Sequence, residues 1–200
     1  MNDVTTYSAE RVRYWVWSGF YTASEVEELL AQLIEHEGSE AGAELNAAEL
    51  WAQLDQEWAA KSAAEADWPD RTDCDRLDEA FDQLESEGIC CVHNAGHSVS
   101  DGFTEVAEAL HERGSENFYG YCFYSGHEIE HALDGAGLWL TFGDLNDNAE
   151  RAYAVGRKVL SALVDAGLEP EWDGKPQSRV WLPELTWQRW TRRDFFAAEM

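Results

Sequence analysis

Three short apolar runs between residues 89 and 143 constrain the fold most. They read ICCV at 89–92, YGYCFY at 119–124 and GLWLTF at 137–142, and Gly, Asn, Ser or Asp bound each of them. Runs rich in aromatic and β-branched residues between such turn formers are typical of buried strands. Two further candidate strands, 168–172 and 179–183, flank a DGKP turn that indicates a hairpin. We therefore expect a mixed sheet of about five strands.

Amphipathic helices are predicted before and between these strands. Their apolar residues recur at helical spacing, and Ser, Thr or Asp precedes most of them as a candidate N-cap. Strands joined by helical crossovers pair in parallel, so part of the sheet should be parallel. The helices are expected at 8–20 (N-cap Ser8), after Thr22 or Ser24, at 45–64, from Asp73 or Asp75 to Gly88, and at 101–113, 127–133 and 147–166.

The predicted fold class is α+β, with N-terminal helices followed by a mixed, partly parallel sheet on which helices pack. Residues 1–88 form an acidic helical region and residues 89–200 an α/β sheet region. Together they are expected to make one compact domain. The aromatic, locally basic tail at 186–196 is expected to fold back on the acidic half.

Charge restricts the choice of partner. The chain has 40 acidic and 14 basic residues, a net charge of −26, and residues 1–88 hold 22 of the acidic and 5 of the basic ones. Nucleic acid and anionic membrane both require a basic face, so neither is expected as a partner. Three explanations of the charge stay open: a solvated surface, complementarity to a basic protein, and adaptation to salt. Ten Trp residues also allow an exposed aromatic patch.

Cysteine usage and the N-terminal sequence favour a cytoplasmic location. Cys90 and Cys91 are neighbours on one predicted strand and point to opposite faces, and no CxxC pattern occurs. The sequence starts without a basic and apolar leader, and no apolar run reaches transmembrane length. Reduced thiols packed in a core are expected, and none of them is expected to act as a nucleophile.

Polar side chains follow the first two predicted strands. If these strands pair in parallel, the loops after them share one edge of the sheet, where open α/β folds bind ligands. Imidazoles beside carboxylates suit zinc or another divalent ion, which is the one candidate cofactor. The candidate ligands are His93, His97, His127 and His131, with Asn94 and Asp101 in the same crevice.

Structural roles for some of these residues are alternatives. Asp101 or Ser100 is a candidate N-cap of the helix at 101–113. Gly96 and Gly102 suit turns. His93 suits a strand end with one ring nitrogen bonded to the backbone.

Residues 127–131 match the H-E-x-x-H pattern. On a helix, His127 and His131 share a face that can bind zinc, and Glu128 can act as general base on a metal-bound water. Three features argue against a protease of this type. Glu130 would place a charge on the side of the helix that packs against the protein, the predicted helix is only about two turns long, and no histidine follows residue 131 as a third ligand.

Four segments resemble an uncharacterised bacterial family of acidic proteins. They are HNAGHSVSDG at 93–102, YGYCFY at 119–124, GLWLTFG at 137–143 and EWDG at 171–174. The resemblance covers residues 73–190, with a looser echo at 12–30, and implies a common fold without an activity. Residues 127–131 depart from it, because this family has a polar turn of Gln, Asp and Glu type there.

Three functional hypotheses follow. The first is a protein-binding module for a basic partner, of the kind that immunity proteins and antitoxins represent. The alternative is a metal-dependent hydrolase that uses the His/Glu cluster, so whether the chain is an enzyme stays open. The third is an acidic protein adapted to salt with an unrelated role.

Overall fold

The structure is a computed structural model, and it describes residues 3–40 and 46–192. The chain divides into two compact units. The helical unit comprises residues 1–69 and 188–200, and the sheet unit comprises residues 70–187.

Three helices build the described part of the helical unit: α1 (Asp3–Ser18), α2 (Ala23–Glu40) and α3 (Ala47–Glu65). The helix α1 begins before the predicted N-cap Ser8, which is buried within it, so that N-cap was wrong. Of the two candidate caps of α2, Thr22 is the one used, because its hydroxyl accepts from the Glu25 N–H and the Glu25 carboxylate accepts from the Thr22 N–H. Buried residues from all three helices form the core: Val12, Val16, Val26, Leu30, Leu50 and Leu54.

The described part of the C-terminal tail, residues 188–192, packs within the helical unit as predicted. The Thr191 hydroxyl donates to the Glu65 carboxylate over 2.6 Å. The Trp190 ring lies edge-on to Trp68, and the Arg189 guanidinium lies over the Phe20 ring. Basic and aromatic side chains of the tail thus complete an acidic helical unit; residues 193–196 lie outside the described residues.

The sheet unit holds a four-stranded sheet with the order β1-β2-β3-β4. β1 pairs in parallel with β2, and β2–β3 and β3–β4 pair antiparallel. The α+β class with a mixed, partly parallel sheet is confirmed. The elements are α4 (Asp73–Ser86), β1 (Ile89–Val92), α5 (Val99–Arg113), β2 (Gly120–Phe123), α6 (Gly126–Leu133), β3 (Leu138–Asp144), α7 (Ala149–Asp165) and β4 (Val180–Leu182).

The prediction of a fifth strand at 168–172 was wrong. Only Glu171 pairs there, through an isolated antiparallel bridge to Trp181. Pro170 has no N–H to donate to a ladder, which explains why the pairing stops beside it. β4 pairs antiparallel with β3, and the expected parallel crossover from β3 into residues 168–172 does not form.

Helices and strands of the sheet unit enclose a core that includes all four cysteines. Cys74, Cys90, Cys91 and Cys122 are reduced and buried. Burial raises the pKa of the Cys91 and Cys122 thiols far above their ordinary value, so these thiols stay protonated. This agrees with the predicted packing role. Among the described residues, no helix combines the length and apolarity that crossing a bilayer requires.

Gly102 illustrates how tightly α5 packs on the sheet. It lies inside the helix and not in a turn, so its predicted turn role was wrong. A Cβ atom at this position would overlap the ring of Phe123, which is fully buried. Close approach of helix to strand therefore requires glycine here.

Replacing Gly102 with Ala should destabilise the protein. Alanine gains about 1 kcal/mol of helix propensity, but overpacking costs about 1–3 kcal/mol. Because the clash is with a fully buried ring, we expect the overpacking cost at the upper end and a net loss of about 2 kcal/mol in the free energy of unfolding. Urea denaturation measures it, with Thr104→Ala on the exposed side of the same helix as control. A G102A protein as stable as the parent would refute this account of the contact.

Candidate functional site

The loops after β1 and β2 run side by side. Beyond the strands, the Ala95 N–H donates to the Tyr124 carbonyl (2.8 Å), and the Gly126 N–H donates to the Gly96 carbonyl (2.8 Å). The His127 N–H then donates to the His97 carbonyl over 3.0 Å. The parallel pairing thus continues past the sheet edge and brings both histidine-bearing loops to one place.

His93 and Asn94 have structural roles at the start of the first loop. The His93 ring stacks on Phe81 with centroids 4.5 Å apart, and its Nδ1 lies 2.8 Å from the Tyr124 hydroxyl. Its Nε2 lies 3.7 Å from a carboxylate oxygen of Asp78. Asn94 adopts a left-handed conformation, with φ of 49°, that turns the chain out of β1. These contacts join α4 to Tyr124, the residue after β2, and they place a polar group near each ring nitrogen of His93.

Asp101 forms a capping box at the start of α5. Its carboxylate accepts from the Ser98 N–H and hydroxyl, both over 2.9 Å, while the Ser98 hydroxyl accepts from the Asp101 N–H. The N-cap of α5 is therefore Ser98, and the prediction of Asp101 or Ser100 was wrong by two or three residues. The backbone N–H of Ser98 holds the pKa of Asp101 below its ordinary value of 3.8.

His127 and His131 project from the same face of α6 towards solvent. Their side chains are 54% and 47% exposed, and their ring centroids lie 4.3 Å apart. The ring of His97 lies 6.1 Å from that of His127. Three of the four predicted metal ligands thus gather on an exposed surface at the edge of the sheet.

Glu128 points inward from the same helix. The residue is only 5% exposed, and its Oε1 accepts from Arg179 Nη1 over 2.5 Å. Its Oε2 is buried without a hydrogen-bond partner and lies 4.0 Å from His131 Nδ1. Arg179 thereby fixes the carboxylate between α6 and the segment before β4, and a general-base role for Glu128 stays a prediction.

As the side chains stand, the described residues contain no group of three or more His, Cys, Asp or Glu positioned to hold a metal ion. A tetrahedral zinc site needs ligand atoms about 2.0–2.1 Å from the ion, which requires closer convergence. The zinc site therefore stays a prediction.

A second concave site lies on the other half of the sheet unit, around β3 and β4. It is an open groove of about 700 Å³, and three tryptophans, Trp139, Trp172 and Trp181, line it. Trp139 and Trp181 form a cross-strand pair and stack with centroids 5.3 Å apart. Arg179 lies over the Trp139 ring at 5.0 Å. The remaining lining residues are Leu160, Pro170, Glu171, Asp173 and Ser178.

Sequence reasoning missed this Trp groove and the Arg179–Glu128 ion pair. The tryptophans come from β3, from the irregular segment after residue 168, and from β4, so no local pattern joins them. The one available signal was the excess of Trp, together with the cross-strand alignment of positions 139 and 181 once β3 and β4 are paired.

The capping box predicts a specific pH dependence. Because the pKa of Asp101 is depressed in the folded protein, its stabilising contribution is complete above the unfolded value near 3.8 and disappears as the pH falls through the folded value. Asp101→Ala should therefore lower the melting temperature at neutral pH, and the difference from the parent should shrink as the solution is acidified below about pH 4.

Thermal melts of both proteins across this range measure the difference. Glu105→Ala, at an exposed position one turn further along α5, serves as control and lacks the capping interaction. A difference between D101A and parent that is constant from neutral to acidic pH would show that the capping box does not act through ionised Asp101.

Comparison with known proteins adds a family and no activity. No curated protein and no solved structure shows significant similarity to this chain. A family model described as "Domain of unknown function (DUF6891)" matches residues 1–191. This match confirms the expectation of an uncharacterised family, while a bacterial origin stays a prediction. The chain belongs to this family of unknown function, DUF6891, over nearly its whole length.

Proposed function

We propose that the protein is a binding module for a basic protein partner, comparable in kind to immunity proteins and antitoxins. The proposal rests on the charge balance of the sheet unit, all of whose residues are described: nearly every basic side chain is paired within the unit, and many carboxylates are left over. Residues 70–187 contain 24 acidic and 8 basic residues, a net charge of −16. Seven of the eight basic side chains lie within 4.0 Å of a carboxylate of the same unit.

Ion pairs within the sheet unit thus neutralise almost all of its positive charge. At one carboxylate each, the seven pairs leave 17 acidic residues against one basic residue, Arg157. A negative field of this kind steers a cationic protein to its docking site and raises the association rate.

The outer face of α5 is the docking surface that we propose. Asp101, Glu105, Glu108 and Glu112 stand at i, i+4, i+7 and i+11 on this helix, and all four are exposed. Like charges at this spacing destabilise a helix by about 0.2–0.5 kcal/mol per pair. A cationic partner bound over these four carboxylates, the acidic stripe, would reduce that repulsion and so stabilise the helix.

Neutralising this stripe should weaken partner binding. We expect the triple variant Glu105→Gln/Glu108→Gln/Glu112→Gln to bind a lysine- and arginine-rich synthetic polypeptide about tenfold or more weakly than the parent. The helix itself should be no less stable, because repulsion is removed. Isothermal titration calorimetry at about 50 and 500 mM NaCl measures affinity and its salt dependence.

The matched control carries the same change in net charge elsewhere on the sheet unit. It is Asp165→Asn/Glu169→Gln/Glu184→Gln, at three exposed positions off α5. It should retain most of the affinity. If both variants lost affinity equally, the binding would depend only on the net negative charge of the protein, which would contradict docking on α5. No binding at low salt, with a melting temperature that climbs steeply in molar KCl, would favour adaptation to salt instead.

A second candidate function, transition-metal binding, is supported by the convergence of three histidines. His127 and His131 lie one helical turn apart, and the backbone bond from His127 to His97 keeps the third imidazole adjacent. All three side chains are exposed, so rotation about their side-chain bonds can bring ring nitrogens to one ion. Three imidazoles with one open position are a common zinc arrangement.

Metal binding should depend on both helical imidazoles. We expect about one equivalent of Zn²⁺ or Co²⁺ per chain and a rise in melting temperature on its addition, both lost in His127→Ala/His131→Ala. Titration calorimetry and the Co²⁺ absorption spectrum are the measurements. His111→Ala, an exposed histidine on α5, is the control. Unchanged metal binding in the double variant would rule out this site.

A further inference from the structure

We propose that the Trp groove is a binding site for a cationic side chain, a lysine or arginine of the partner. The inference rests on the proposed function, since it names where a basic partner would insert one residue. The groove is walled by Trp139, Trp172 and Trp181 and belongs wholly to the sheet unit. Its volume of about 700 Å³ lies within the range of ligand sites in proteins, about 300–1,000 Å³.

The aromatic wall suits a cation. The face of an indole ring carries negative electrostatic potential, and Trp is the best of the aromatic residues at attracting a cation placed over it. The protein itself uses the groove in this way, because the Arg179 guanidinium lies 5.0 Å from the Trp139 ring centroid. The indole of Trp172 is held in place by its N–H, which donates to the Lys175 carbonyl over 3.1 Å, and by edge contact with Phe142.

The charges around the groove favour a cation as well. Arg179 is neutralised by Glu128, and Asp173 is neutralised by Lys175, whose ammonium lies 2.7 Å from its carboxylate. The remaining charged lining residue is Glu171, which is exposed and forms no ion pair with a basic side chain of the sheet unit. The groove therefore carries one uncompensated negative charge within a unit of net charge −16, which disfavours anionic ligands.

The backbone around Glu171 positions this carboxylate at the groove. The Glu171 N–H donates to the Trp181 carbonyl (2.7 Å), and the Trp181 N–H donates to the Glu171 carbonyl (2.9 Å). This isolated bridge fixes Glu171 opposite Trp181 in the wall of the groove. A side-chain cation over the indoles can thus reach a carboxylate that no other cation neutralises.

A pair of short peptides tests the inference. One carries a central lysine between glycines, and the other carries acetyl-lysine, which keeps the shape and loses the charge. The readout is the set of indole N–H signals in ¹H–¹⁵N spectra of the full chain, assigned through Trp→Phe variants. We expect the lysine peptide, at millimolar concentration, to shift the signals of Trp139, Trp172 and Trp181 and to leave the signal of Trp51, an exposed indole of the helical unit, unchanged.

Two variants locate the effect. Glu171→Gln, at an exposed position, should weaken binding of the lysine peptide by about three- to fivefold without unfolding the chain. Trp172→Leu should abolish it, whereas the matched variant Trp51→Leu should bind as the parent does. Equal shifts with both peptides would overturn the inference in favour of a neutral ligand, and so would the absence of groove shifts with the lysine peptide.

Failure here is separable from failure of the proposed function. If the basic polypeptide binds through α5 but the groove signals do not move, the groove inference alone is wrong. If neither the polypeptide nor the lysine peptide binds, the basic-partner proposal itself is contradicted.

Discussion

The parallel pairing of β1 with β2 is the constraint on which the rest of the sheet unit depends. Its hydrogen bonds continue past the strands, from Ala95 to Tyr124 and from His127 to His97, so the register of two four-residue strands also fixes the loops beyond them. Because α5 and α6 both begin in those loops, the register sets where each helix starts. One slip of a residue would turn the side chains of β1 and β2 to the opposite faces and separate the two loops.

In the sheet unit, nearly all the basic side chains form ion pairs within the unit, and the remaining carboxylates face solvent. Basic side chains are few. Four of their seven ion pairs join residues two to eight positions apart. The other three join segments far apart in sequence, among them Arg113 of α5 with Glu85 of α4 and Lys158 of α7 with Glu87. Exposed pairs of this kind each contribute at most about 1 kcal/mol. Their larger effect is to leave the outer surface almost purely acidic. The stability of the fold must then come from its apolar core, since surface charges repel one another.

Local patterns predicted much of this fold, whereas contacts between distant residues did not follow from them. The bounds of α6 and α7 were close to the predicted helices at 127–133 and 147–166, because apolar periodicity and capping are local properties. The absence of a strand at 168–172 agrees with Pro170, which is a local signal against a strand. The N-cap Ser98 likewise belongs to a local pattern, the Ser-x-x-Asp capping box that it forms with Asp101. In contrast, the pairing of Glu128 with Arg179 joins residues 51 positions apart. Nothing in the sequence around either residue encodes such a distance.

The Glu128–Arg179 ion pair connects the two candidate sites of the sheet unit. On one side, Glu128 Oε2 lies 4.0 Å from the imidazole of His131; on the other, Arg179 lies over the Trp139 ring in the Trp groove. A positive charge bound at the histidines would attract the same buried carboxylate that neutralises Arg179. If the ion pair weakened, the charge of Arg179 would no longer be neutralised, and it would repel a cation in the groove. Metal at α6 and a cationic side chain in the groove should therefore oppose each other, and by thermodynamic linkage the opposition holds in both directions.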